Sequence, residues 1–265
     1  MEKEIGNFRK PLASDMAGMA ARDAELDRER EEAAERDRLT EGKRLWEASG
    51  VPVRHSEFRP TEDEGPWREA YDTLKAKIGT GFLYVIMGNR GTGKTQLGTA
   101  VIGAACYKKN KVGKYVKAID IFIALREAYR KDGDAESKVI NRFVYPDLLV
   151  IDAMEERGET AFEDRLLNHI IDKRYDNCDD TLLITNQTPE AFAASAGPSI
   201  VSRIHETGDK IVCDWESFRK KGEAMPAVAS AKNKVNPDPR RRTQDLTSRP
   251  DYTPAPGALP VGDRD

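Results

Sequence analysis

Short continuous apolar runs, each bounded by glycine, proline or charge, recur through the middle of the chain. Phe82–Met87 (FLYVIM) stands between Gly81 and Gly88, Asp147–Asp152 (DLLVID) follows Pro146, and Thr181–Thr185 (TLLIT) is a third. Runs of this length without polar alternation predict strands covered on both faces, as in a parallel sheet. Tyr115–Ala118 and Lys210–Cys213 are expected as further strands. Between them lie helical patterns. Lys94 to Tyr107 carries Leu97 with Ala100, Ala104 and Ala105, Asp120 can cap a helix running to Tyr129, and Phe162 to Tyr175 sets Phe162, Leu166 and Ile170 on one row with Leu167 and Ile171 on the next. That stripe is a core-facing one. Strands alternating with helices predict an α/β fold with a doubly wound parallel sheet.

The flanks have a different texture. From Arg22 to Arg38 the one large apolar residue is Leu26, so the run has no face to bury even though Arg28, Glu32 and Arg36 could pair at i,i+4. It reads as a solvated helix or disordered arm. From Leu45 onward Trp46, Val51, Val53, Phe58, Trp67, Tyr71 and Leu74 supply the groups that a lead-in to a folded domain would dock, and the domain is expected to begin near Ser49. Beyond Arg219 come Pro226, Pro237, Pro239, Pro250, Pro254, Pro256 and Pro260, which make a packed structure an unfavourable outcome. The chain therefore divides into a charged arm (1–48), a folded domain (49–219) and a proline-rich basic tail expected to be disordered (220–265).

Composition fits one core rather than two. Of 265 residues 34% are charged and mean hydropathy is −0.66, so the apolar residues must be concentrated in the middle. Net charge is −3, which argues against coating nucleic acid with the whole surface. Nine Lys/Arg against three acids between Arg219 and Arg249 give +6, leaving −9 elsewhere. No run resembles a secretory signal or approaches the ~20 apolar residues that span a bilayer, so a cytoplasmic protein with no membrane partner is expected. Cys106, Cys178 and Cys213 stand far apart without metal-ligand spacing, and His169 sits beside an apolar stripe. Neither a disulfide framework nor a zinc site is supported.

Gly88-Asn89-Arg90-Gly91-Thr92-Gly93-Lys94-Thr95 satisfies the phosphate-loop pattern GxxxxGK[ST] in full, after a predicted strand and before a predicted helix. Gly88, Gly91 and Gly93 permit backbone conformations and close approaches that a Cβ would obstruct. Successive N–H groups and the helix N-terminus can then surround phosphates. Lys94 is the expected cation for the β- and γ-phosphates of ATP or ADP, Thr95 a Mg²⁺ ligand, and Gln96 the next residue of the nucleotide-binding segment. A carboxylate at the end of a neighbouring buried strand is also needed to hold the metal through its water shell. Asp152, after Leu148-Leu149-Val150-Ile151, fits that need.

The segments GNRGTGKT, PDLLVIDAMEERGETAFEDRLLNHIIDKRYD, TLLITNQ, SIVSRI and CDWESFRK together resemble the DnaC/IstB group of AAA+ ATPases, over roughly residues 49–219. The resemblance implies a P-loop NTPase domain, a three-layer αβα sandwich on a five-stranded parallel sheet, usually without a helical lid. It places Lys94 and Thr95 in the phosphate loop and Asp152 in the metal-binding acid position. Asn186 matches the polar sensor of the γ-phosphate and attacking water. Arg203 matches the arginine that enters a neighbouring subunit's site. Arg174 is a second candidate for that junction, or a salt-bridge residue on its own helix.

One departure stands out. The family normally has glutamate directly after the metal-binding aspartate, as the base that polarises water, and here Ala153 occupies that place with Glu155 and Glu156 nearby. ATP binding is thus a firmer expectation than fast hydrolysis. The resemblance further implies a bacterial or phage helicase loader that holds a replicative hexameric helicase for delivery to single-stranded DNA and self-associates through Arg203. A transposase helper and a non-hydrolysing ATP-gated scaffold are the alternatives.

Overall fold

The computed structural model describes residues 13–56, 65–129, 134–158 and 160–218. The expected tail over 220–265 and the docking residue Phe58 lie outside them. Five strands form one parallel sheet: β1 (Leu83–Gly88), β2 (Gly113–Lys117), β3 (Leu148–Asp152), β4 (Asp180–Ile184) and β5 (Lys210–Cys213), in the order β2-β3-β4-β1-β5. Each lies within two residues of its expected place. β1, which leads into the glycine-rich loop, is flanked by β4 and β5, and β4 separates it from β3.

Alternate residues of each strand face opposite ways, and both faces are covered. Leu83, Val85, Met87, Leu149, Ile151 and Leu183 pack with the buried residues of α5 (Ala118–Tyr129), α6 (Asp134–Val144), α7 (Ala161–Asp176) and α8 (Pro189–Thr207). Tyr84, Ile86, Leu148, Val150, Leu182 and Ile184 pack on the other side with α3 (Pro66–Lys77), α4 (Lys94–Lys109) and Leu45. Each fully buried aliphatic side chain contributes about 1.5–3 kcal/mol of transfer free energy. These layers are the expected αβα sandwich. Alanines and glycines of α4 let it lie close to the sheet: a Cβ on Gly98 would meet Ile184 Cδ1 at 2.7 Å.

A helix, α1 (Ala13–Ala48), carries the charged run, and Arg22 to Asp37 are exposed on it. The ion pairs that form there are Asp27–Arg30 and Glu35–Arg38 at i,i+3, rather than the expected pairs centred on Glu32. Its last turns behave differently. Leu45 is buried, the Trp46 ring lies 6.2 Å from that of Tyr107 on α4, and Gly42 faces the Tyr107 backbone so closely that a Cβ would sit 3.0 Å from it. A short helix, α2 (Val53–Ser56), follows. Among the described residues no helix is long and apolar enough to cross a membrane.

Candidate nucleotide site

The loop from Gly88 to Thr95 joins the C-terminal end of β1, a strand flanked on both sides, to the first turn of α4, as the strand–loop–helix pattern requires. Its three glycines all have positive φ (133°, 91° and 82° for Gly88, Gly91 and Gly93). A Cβ on Gly88 would lie 2.4 Å from the Cys213 carbonyl oxygen, so the close β1–β5 pairing at this point depends on glycine. Thr92 Oγ1 donates to the Asn89 carbonyl at 2.9 Å. Lys94 is 6% exposed, and its ammonium donates to the carbonyls of Gly88 (2.8 Å) and Asn89 (2.6 Å). A cation enclosed by the loop's own backbone suits a polyanion held in that loop.

Aromatic side chains brace the loop. Trp67 Nε1 donates to the Gly93 carbonyl (3.3 Å), Trp215 Nε1 to the Thr92 carbonyl (2.9 Å), and the Phe218 N–H to the Gly91 carbonyl (2.9 Å). Tyr71 stacks on Trp67 at 5.9 Å. Gln96 Oε1 accepts from His55 Nδ1, which takes the imidazole tautomer protonated at that nitrogen and ties α2 to the first turn of α4. Trp215 and Phe218 belong to the CDWESFRK segment, whose signal in the sequence is two aromatics spaced by three residues just after the last strand.

Asp152 ends β3 and is buried. Thr95 Oγ1 and Tyr115 Oη both donate to its Oδ2 at 2.8 Å, and the Ala153 N–H donates to Oδ1 at 2.7 Å. Burial, and then the Asp152 charge, push the Tyr115 hydroxyl well above its ordinary pKa, so it stays protonated and remains a donor. Two of the sequence-predicted residues, Thr95 and Asp152, are thus brought into contact. A hydroxyl and a carboxylate form the hard-oxygen donor set that suits Mg²⁺, and the geometry is consistent with both holding that ion. Tyr115 was not foreseen in the site.

Asn186 lies just beyond β4. Its backbone N–H donates to Glu155 Oε2 at 3.1 Å, its side-chain amide donates to Glu155 Oε1, and Thr185 Oγ1 donates to Oε2 at 3.1 Å. Burial pushes the Glu155 carboxyl up. Hydrogen bonds from its own backbone N–H, from Asn186 and from Thr185 outweigh that and hold it below the usual carboxylate range. Sequence alone leaves Glu155 without a position, because that depends on a turn starting at Ala153.

Arg203, on α8, has its guanidinium on α7: Asp172 Oδ1 is 3.0 Å away, the Tyr175 ring centroid 5.2 Å, and Ser199 accepts from it within α8. It is not brought to the loop of its own chain. Arg174 proves to be neither a junction residue nor a surface salt bridge. It is fully buried and donates to Thr181 Oγ1 (2.9 Å) and to the carbonyls of Phe143 (3.2 Å), Val144 (2.8 Å), Pro146 (2.7 Å) and Asp180. Burial pulls its pKa down to about 10, against the pull of Asp179, Asp180 and Asp147. It is a fold residue, tying the end of α7 to the segment entering β3.

The sequence also has relatives. The family model of the IstB-like ATP binding protein matches residues 80–225. The replicative helicase loader DnaC of Escherichia coli K12 is 26% identical over 139 residues, covering 52% of this chain and 56% of DnaC. The uncharacterized protein YdaV of the same strain is 31% identical over 147 residues, covering 55% and 58%. The chain thus spans a little over half the length of these curated relatives. A crystal structure of the DnaC helicase loader superposes with a TM-score of 0.52 at 23% identity, over 64% of this chain and 98% of the other, which speaks to the fold. With a family model matched over more than half its length and the P-loop sheet beneath it, the chain belongs to the IstB-like ATP binding proteins, in the DnaC/IstB-like group of AAA+ ATPases.

Proposed function

We propose that this protein binds Mg·ATP in the segment Gly88–Gln96 and works as a loader that delivers a replicative hexameric helicase to single-stranded DNA. The observation that carries the nucleotide site is the 2.8 Å contact of Thr95 with Asp152, beside an ammonium enclosed by the loop. The loader role is supported by the DnaC relative, which is named for that activity.

In this reading the backbone N–H groups of Gly88, Asn89, Arg90, Gly91, Thr92 and Gly93 line the phosphates and Lys94 neutralises the β- and γ-phosphates. Thr95 and Asp152 would hold Mg²⁺, which would supply charge neutralisation to the phosphates. Asn186 faces the γ-phosphate end from β4. Arg203 reaches the corresponding site of a neighbouring protomer, where a guanidinium can stabilise transition-state charge. The folded unit doing this is taken as residues 49–219 together with the last turns of α1, whose Leu45 is buried against it, and the exposed part of α1 is the surface offered to the helicase.

Calorimetry with Mg·ATP tests the first claim: wild type binds, and Lys94→Ala loses the heat. Mass photometry with ATP and helicase tests the second. Arg203→Ala should retain nucleotide binding and lose ATP-dependent assembly, and full assembly by that variant would remove the trans role. A second reading, a transposition helper ATPase, comes from the resemblance to IstB, whose family model matches the chain. Co-purification of a DDE-type transposase in place of a hexameric helicase would select it.

A further inference from the structure

Glu155 occupies a place in the site that the motif does not assign. The chain reverses directly after Asp152 because Ala153 takes a left-handed conformation (φ 55°, ψ 50°), which opens a 3-10 turn over Met154–Glu156. That conformation costs a non-glycine residue about 1–2 kcal/mol, and the buried side chain of Met154 pins the turn. Its result is that the carboxylate two residues beyond Ala153 crosses to the end of β4, where it accepts from Thr185 and Asn186. β4 is the strand between β3, which ends in Asp152, and β1, which ends in the phosphate loop. Thr185 itself donates from its backbone to Ile86 of β1 at 3.0 Å. The carboxylate therefore stands at the sheet's rim between the metal-binding acid and the phosphate loop, held in the ionised form by its donors. Glu156, the other nearby acid, is exposed.

We propose that Glu155 is the water-polarising base of this ATPase, and that Asn186 and Thr185 are its positioning residues. The assignment rests on the Mg·ATP reading above. Glu155 accepts a proton from a water whose oxygen forms a bond to the γ-phosphorus. The bond from that phosphorus to the β–γ bridging oxygen breaks, its electron pair stays on the ADP oxygen, and the carboxyl then releases its proton to solvent, leaving ADP and inorganic phosphate. Ala153 has no side-chain oxygen to do this, and the turn it starts supplies one from Glu155.

The test uses the full chain with Glu155→Gln, Glu155→Asp and Glu156→Gln. Fluorescent ATP-analogue titration reports binding, acid-quenched chromatography reports whether the bound nucleotide is ATP or ADP, and phosphate release reports turnover. A positioned general base contributes about 10²–10⁴-fold, so Glu155→Gln should bind within about threefold of wild type yet lose at least about 100-fold in turnover, with bound nucleotide recovered as ATP. Glu155→Asp, which keeps the charge and withdraws it by one methylene, should lose at least about tenfold, and it carries the test if the glutamine variant folds poorly. Glu156→Gln should turn over like wild type. Turnover by folded Glu155→Gln or Glu155→Asp close to wild type would overturn the assignment, as would wild type that binds ATP and never converts it. Wild type that fails the titration altogether would instead overturn the Mg·ATP reading, and this assignment with it.

Discussion

In the proposed Mg·ATP site, Asp152 is the carboxylate that would meet the metal. Two hydroxyls meet one of its oxygens and a backbone N–H the other, so its rotamer is fixed before any ion arrives and ordering it costs little at binding. Asp152→Asn keeps the shape and an acceptor oxygen while removing the charge. The expected outcome is a fold stable to within about 1 kcal/mol and an affinity for Mg·ADP at least about tenfold weaker, while affinity for ADP in EDTA changes by less than twofold. Paired titrations of a fluorescent ADP analogue with and without magnesium check this, and equal loss in both arms would mean that Asp152 acts on the fold instead. Tyr115→Phe removes one donor from the same oxygen and leaves the ring. A melting curve should register a loss of about 0.5–1.5 kcal/mol, the net worth of one hydrogen bond.

At the scale of elements, Arg174 matters most. Four carbonyls and a hydroxyl converge on one guanidinium that joins α7 to the end of α6 and the start of β4. Arg174→Met fills similar volume but leaves those carbonyls without their donor. Denaturant unfolding should show a loss of about 3–5 kcal/mol, as expected when one side of a buried polar arrangement is deleted, and a loss below about 1 kcal/mol would show that water replaces the donor. This residue also marks the limit of what the chain reveals on inspection. The strands were legible because a buried parallel strand has no polar face to disguise it, and the phosphate loop because its glycines, Lys94 and Thr95 are contiguous. Arg174 was not, since a positive charge on an otherwise amphipathic helix predicts solvent unless the carbonyls it will meet, some thirty residues upstream, are already known. α6 went unforeseen for a related reason: Val139, Ile140, Phe143 and Val144 form a helical stripe, but one too short to separate from loop. Glu155 depended on the positive φ of Ala153, which no residue preference announces.

For the whole molecule, the proposed trans role of Arg203 would link the fold to assembly. In the single chain its guanidinium pairs with Asp172 and lies over Tyr175; to enter a neighbour's site it must give up both. On that proposal the cis contacts oppose the trans one, and assembly would be favoured only when a bound triphosphate offers more charge than Asp172 does. The size of that opposition is bounded. Side chains 22% and 41% exposed form a partly solvated pair, and such pairs are worth about 0.2–1 kcal/mol. Asp172→Asn should thus shift the protein concentration at which ATP-dependent oligomers appear downward by about 1.4- to 5-fold, without altering nucleotide affinity in the monomer. Mass photometry across a dilution series, with ATP and with ADP, measures it. A shift of the same size in both nucleotides would make Asp172 a general interface residue. No shift in either would mean that Arg203 stays on α7 in the oligomer, and the junction would need another cation.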